Sequence, residues 1–452
     1  MDFLNNFFTT LSGYLWGWPM IVLLLGTHIY LTIRLRFPQR KILTAIKLSV
    51  KNDDQAAGDV SQFGSLATAL AATIGTGNIV GVGTAIVLGG PGAVFWCWIS
   101  GLFGMATKYS EALLSVKYRV RMANGQMLGG PMYALEKGLG CKWLAVLFAV
   151  FTILASFGTG STVQANAISS NLAHAYHISP YLSGIVIAAL TAVVVMGGVK
   201  HIARVCEMLV PLMAAFYVLG CLYILCINGS YVWPAIKLIV SAAFTPQAAG
   251  GGFVGSSIML AARFGIARGL FSNESGLGSA PIASAAARTR NAVRQALVSS
   301  SGTFWDTVVI CALTGIVLVS SVLAYPDIDC TNGGMLTSMV FSKIPYVGNL
   351  ILSIGLVMFA FTTTLGWYYY GERIWRKVYC IAYILTVFGG SVANLYMVWS
   401  VADCMNALMA IPNLVSLLLL SGVLVRETQK YLWSGNLDQT DNEMLQEEMN
   451  RQ

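Results

Sequence analysis

Apolar stretches of about twenty residues recur along this 452-residue chain. They lie near 14–35, 63–90, 93–117, 143–172, 181–199, 207–228, 252–287, 299–323, 347–371, 375–397 and 399–424. That length is what an α-helix needs to span the hydrocarbon core of a bilayer, and no soluble core conceals so many of them. The residues are 56% hydrophobic and 10% charged, against roughly 25% charged in soluble domains. The Val/Ile/Leu runs are too long for barrel strands. The chain therefore reads as an all-α polytopic membrane protein with eleven transmembrane helices. The first segment lacks a basic lead and opens with Asp2, which is unlike a cleaved signal peptide.

The net charge of +8 reports orientation and calls for no nucleic-acid partner. Basic residues gather on or beside odd-numbered connections: Arg34 to Lys51, Lys108 to Lys142, Lys200 and Arg204, Arg288 to Arg294, Arg373 to Lys377, and the tail. Even connections hold only Lys237 and Lys343, while Arg263 and Arg268 lie inside the seventh segment. The positive-inside rule then places this protein in the cell membrane with its N-terminus outside and its C-terminus in the cytoplasm. Residues 1–433 form one transmembrane domain, and 434–452 read as a polar, solvated tail. The nine cysteines lie mostly in apolar segments, where they act as small hydrophobes. Neither their spacing nor the loop that holds His174 and His177 suggests a resident metal, and no cofactor or obligatory protein partner is implied.

Two segments are interrupted. Residues 72–84 read ATIGTGNIVGVGT, which is not the G-x-G-x-x-G of a dinucleotide site. Gly77 and Gly81 fit close helix packing, yet Gly75, Thr76, Gly77 and Asn78 together weaken a helix at mid-membrane. Unwound backbone at that depth persists only where it is buried or lines a cavity, so a broken, site-forming helix is expected. Residues 271–283, FSNESGLGSAPIA, repeat the pattern. Paired interrupted segments point to an inverted-repeat transporter with its site between the breaks. Segments two to six (63–228) make one repeat, segments seven to eleven (252–424) the other, and 14–35 is an added N-terminal helix.

These stretches, with GMATKYSEALLSVKYR (104–119), GGPMYALEKGLG (129–140) and TTTLGWYYYGE (362–372), resemble the alanine/glycine:cation symporter family. The resemblance covers most of the chain. It implies the amino acid–polyamine–cation type of fold, a 5+5 inverted repeat like that of sodium-coupled neurotransmitter transporters. Ser275 stands where alanine is expected, and Ser284 where many members have histidine.

The expected chemistry is that of a zwitterion held beside a cation. Amides of Thr76 and Gly77, with the Asn78 side chain, face a carboxylate at a helix N-terminus. Carbonyls near Phe271 and Ser272 accept from an ammonium. Gln164 either serves one of these groups or bonds between helices; the resemblance favours the pocket. It also implies a sodium shell of hard oxygens from the Ala71, Ile74 and Phe359 carbonyls and the Thr362 and Thr363 hydroxyls. Trp367, four residues after Thr363 and on the same helix face, forms with Phe271 a wall that admits only small side chains. Asp306, Glu274, Arg263 and Arg268 are charges inside the membrane. Whether an acid pairs with an arginine at an outer gate, or static pairs hold helices in register, is open at this point. The expected function is secondary active import of alanine and glycine with sodium, by alternating access. Proton coupling is the alternative, although no carboxylate is obviously placed at the first break. A channel lacks support from a filter loop. An intramembrane enzyme lacks a constellation: Asn273 and Leu277 occupy the glycine positions of G-x-S-x-G around Ser275.

Overall fold

The computed structural model describes residues 2–51, 56–123, 125–246, 256–331, 333–372, 376–393 and 395–441. Arg373, the start of the seventh segment (252–255) and residues 442–452 lie outside them. The chain is mostly helical, 81%. Helices α1 (Asp2–Leu15) and α2 (Trp18–Arg34) lead to the short α3 (Ile42–Ser49). The first interrupted segment is α4 (Gln62–Thr73), a π-helical turn at Gly77–Gly81, and α5 (Val82–Gly89). Then come α6 (Gly92–Lys117) and a small hairpin, β1 (Val120–Arg121) with β2 (Met127–Leu128), in which Val120 faces Leu128. Helix α7 (Pro131–Tyr133) precedes α8 (Lys142–Ala155), a π-helical stretch at Ser156–Thr162, and α9 (Val163–Tyr176). Helices α10 (Pro180–Met196), α11 (Val199–Ile227) and α12 (Gly229–Ala242) follow.

The second interrupted segment is α13 (Ile258–Asn273) and the single turn α14 (Pro281–Ser284). It leads into α15 (Ala292–Thr303), a π-helical stretch at Phe304–Cys311, and α16 (Ala312–Ala324). The remainder is α17 (Gly333–Ser342), α18 (Gly348–Gly371), α19 (Arg376–Val392), α20 (Leu395–Leu419) and α21 (Ser421–Thr428).

Six of these helical stretches are long and apolar enough to cross a membrane: Asn6–Arg34, Lys142–Tyr176, Val199–Ile227, Ala292–Ala324, Gly348–Gly371 and Trp399–Leu419. The bent pair α4/α5, kinked by 51°, makes a seventh. This is a multi-pass membrane protein. The other expected spans are shorter or more polar. Helix α6 is long enough but carries Lys108 and Glu111, and α13 stops where its segment breaks.

Local chemistry explains the boundaries. Ser61, Ser257 and Asn291 cap α4, α13 and α15 by accepting from the amides of Gly64, Leu260 and Arg294, the arrangement that satisfies an orphan N–H at a helix start. Helix α13 packs backbone-close on α6, since a Cβ at Gly265 would overlap the Ala93 carbonyl. Small residues are what permit such approach in a membrane.

At the arginine-rich end, the lead-in to α4 is clasped to the chain that follows α14. Val60 bridges Ala287, and the Arg288 amide donates to the Val60 carbonyl at 2.9 Å. Buried Arg119 donates through Nη1 to the Ala287 carbonyl, also at 2.9 Å. Residues 434–441 of the tail are mostly exposed, yet they touch this end at a few points. Asn291 Nδ2 donates to the carbonyls of Leu437 (3.0 Å) and Gln439 (2.8 Å), and Arg294 pairs with Asp438 at 2.6 Å. An uncapped carbonyl row beside a buried amide donor is the reason.

Candidate site between two broken helices

The first break forms because Gly75 leaves the α4 ladder. Its amide donates to Asn78 Oδ1 at 2.9 Å, so the Ala71 carbonyl loses the donor that a continuing helix would bring. Ile74 closes α4 at φ −76°, ψ 89°. Asn78 Nδ2 reaches across to the Asp306 carboxylate (2.8 Å) and carbonyl (3.1 Å). Both ends of this side chain are thus engaged within the protein. It staples the break and does not point a free donor at a solute.

The second break starts at Glu274, which takes left-handed backbone at φ 55°, and runs through Gly276 and Gly278 at φ 93° and 83°. The two breaks meet. A Cβ at Gly77 would lie 3.2 Å from Ser272 Cα and 3.3 Å from Phe271 Cδ1. Ser272 Oγ donates to the Asp306 carboxylate at 3.0 Å, and Thr307 Oγ1 donates to it at 2.7 Å. Asp306, fully buried on the π-helical stretch at Phe304–Cys311, therefore touches both broken segments. This corrects the expectation that no carboxylate stands at the first break. Chain distance hides it, since 228 residues separate Asn78 from its partner. Among the described residues, neither acid pairs with an arginine. Glu274 accepts from Ser279 Oγ, and Arg268 faces Asp403 at 3.9 Å.

The expected cation ligands come together in two pairs. Thr363 Oγ1 on α18 lies 3.3 Å from the Ile74 carbonyl at the end of α4. That is long for a hydroxyl hydrogen bond. It matches the roughly 3.3–3.7 Å between right-angle neighbours on a shell of hard oxygens at about 2.3–2.6 Å. Thr362 Oγ1 lies 3.0 Å from the Phe359 carbonyl, but also 3.0 Å from that of Met358 and 3.1 Å from Met213 Sδ. Back-bonding of this kind is ordinary for a threonine in a helix, so the contact between helices is the informative one. Ala72 packs against Gly366, which holds the end of α4 on α18.

Gln164, on α9, lies against the first break. Its Oε1 accepts from the Thr76 amide at 3.4 Å, and its Nε2 donates to the Thr159 carbonyl at 3.0 Å. A Cβ at Gly75 would meet both Gln164 Oε1 and Thr363 Oγ1. Buried Thr76 Oγ1, Thr159 Oγ1 and Trp367 Nε1 have no hydrogen-bond partner. Unpartnered buried groups cost about 1–3 kcal/mol each, and three around one break mark a polar cradle. Trp367 is fully buried, hence no interfacial belt residue, and its Cβ lies against Gly160. The Phe271 ring pairs with Trp399 at 5.4 Å.

Sequence reading missed Glu111. Its Oε1 accepts from the Gly276 amide (2.9 Å), the Gly278 amide (3.1 Å) and Asn413 Nδ2 (2.6 Å). Lys108, one turn earlier on α6, buries an ammonium that has no hydrogen-bond partner. The signal was K-x-x-E inside an otherwise apolar segment. The two family departures are satisfied locally, Ser275 by Thr303 (3.1 Å) and Ser284 by Ser299 (2.9 Å).

Two interrupted helices that meet across a buried carboxylate form a transporter-like centre, and comparison with known proteins agrees. A profile described as the sodium:alanine symporter family matches residues 1–445. The chain belongs to that family. Among similar members, the sodium/alanine symporter AgcS of Methanococcus maripaludis is 49% identical over 95% of this chain and 98% of its own. The probable sodium/glutamine symporter GlnT of Bacillus subtilis is 35% identical over 92% and 88%. Among solved structures, MhsT in complex with L-phenylalanine superposes with a TM-score of 0.57 at 16% identity, over 80% of this chain and 89% of that one. That likeness is one of fold. In this member of the sodium:alanine symporter family the two breaks lie at Gly75–Asn78 and Glu274–Ala280.

Proposed function

We propose that this chain imports small neutral amino acids, alanine and glycine, together with sodium by alternating access. The reading rests above all on the meeting of Gly77 with Phe271 and Ser272, beside the Thr363–Ile74 pair. Family membership and the names of its relatives support it. The amides of Thr76 and Gly77 hold the carboxylate, the Thr76 amide by giving up its long 3.4 Å contact to Gln164 Oε1, and Gln164 Nε2 joins them by leaving the Thr159 carbonyl. Carbonyls near Phe271 and Ser272 hold the ammonium, with Asp306 as a fixed negative charge next to them. Ala71, Ile74, Phe359, Thr362 and Thr363 supply oxygens to sodium, while Trp367 with Phe271 limits side-chain size. The protein lies in the cell membrane as eleven spans, a 5+5 inverted repeat plus an N-terminal helix, with the arginine-rich end in the cytoplasm.

Uptake of labelled alanine and glycine by reconstituted protein tests this, with a sodium, lithium or proton gradient as the sole driving force. Accumulation driven by sodium is the expected result. Accumulation with no gradient dependence removes the reading. The position of Asp306 at both breaks favours a second reading, proton coupling. If that holds, the proton gradient drives uptake and Asp306→Asn abolishes that drive.

A further inference from the structure

A cavity of about 110 Å³ opens beside Phe271, away from the arginine-rich end. At the roughly 10–15 Å³ that one water requires, it is roomy enough for a small solute. Ser12 and Trp16 of α1, Arg263, Arg268 and Phe271 of α13, and Asp403 of α20 line it. Phe271 has two neighbours of different kinds. One edge of its ring meets Gly77 at the first break, and Arg268 lies over its face at 5.8 Å. The ring therefore stands between this cavity and the centre where the breaks meet.

The polar groups here are of both signs and loosely matched. Arg268 Nη2 and Asp403 Oδ2 are 3.9 Å apart, and the two side chains remain 20% and 16% exposed. That separation is beyond a hydrogen bond, so a five-donor guanidinium and a carboxylate acceptor both keep capacity for a ligand. Each is held in place by other means. Arg268 also lies 5.6 Å over the Trp399 ring, and the Asp403 carbonyl accepts from Trp16 Nε1 at 2.9 Å.

We propose that this cavity is an antechamber that binds a zwitterionic amino acid before it reaches the central site. Arg268, with Arg263 beside it, takes the carboxylate, and Asp403 takes the ammonium. Helix α1 is the outer wall, which gives the added N-terminal helix a part in substrate capture. The identity of the ligand rests on the function proposed above. Binding here uses side-chain charges alone and needs no sodium, unlike the central site.

The test is protection of a Ser12→Cys variant from a small charged thiol reagent in sodium-free buffer, counted above the labelling of the unsubstituted chain. Alanine is expected to slow labelling as one plus its concentration over Kd, about threefold at twice Kd. Propionate or ethylamine, each with one of the two charges, should not protect. Adding Asp403→Asn or Arg268→Gln should remove the protection by alanine; two variants are used in case one fails to fold. Equal labelling with and without alanine, equal protection by propionate, or protection that survives both variants overturns the proposal. Sodium-driven uptake by the unsubstituted chain is measured in parallel. Uptake without protection sinks the antechamber and leaves symport standing; protection without uptake does the reverse.

Discussion

In the cation site proposed above, Thr363 makes the contact between two helices. Its hydroxyl spans from α18 to the carbonyl that α4 releases at Ile74, whereas the hydroxyl of Thr362 is already accepted by its own turn. Thr363→Ala is therefore expected to weaken sodium binding by at least roughly tenfold, the scale on which ligand-shell changes act. Because coupling is reciprocal, alanine affinity at fixed sodium should fall as well, and Thr363→Ser should restore both. Equilibrium binding of labelled alanine across a sodium titration reads out the effect. An unchanged sodium midpoint would place the ion elsewhere.

At the scale of elements, the second break is held open by a neighbouring helix. Glu111 of α6 accepts the amides of Gly276 and Gly278, which left-handed backbone turns toward it, and Asn413 of α20 ties in the same oxygen. Glu111→Leu leaves two buried amides and an asparagine without their acceptor. The cost expected is about 3–5 kcal/mol, typical of removing one partner from a buried charged cluster. Glu111→Gln keeps an oxygen in place and should fold. Melting of the purified variants in detergent checks the contrast. The breaks themselves were legible in the sequence, because glycine, hydroxyl and amide residues clustered in an apolar run weaken a helix where lipid offers no other hydrogen bonds. The nearness of Thr363 to the first break was legible through the family motif at 362–372. The partners were not. Asp306 with Asn78, Glu111 with the second break, and Asp403 with Arg268 each join distant stretches of chain, and periodicity carries no trace of which helix faces which. Nor does composition show that the polar tail touches the body of the protein at the Asn291 amide and at Arg294.

Across the whole molecule, the first helix and the last long helix are neighbours. Thr9 on α1 hydrogen-bonds Ser400 on α20 at 3.2 Å, and Trp16 donates to the Asp403 carbonyl across 387 residues of sequence. The first helix made thus has the last long helix as its partner. At roughly 5–20 residues per second, a ribosome separates their appearance by some 20–80 s. During that interval α1 and α2 sit in the bilayer without their final neighbour, and the wall formed by Ser12 and Trp16 does not exist. Long-range contacts of this kind form late, after their loop-closure cost has been met. Assembly of the substrate entrance is therefore a closing event of biosynthesis, and a nascent chain halted before α20 is made carries both broken helices but no finished doorway to them.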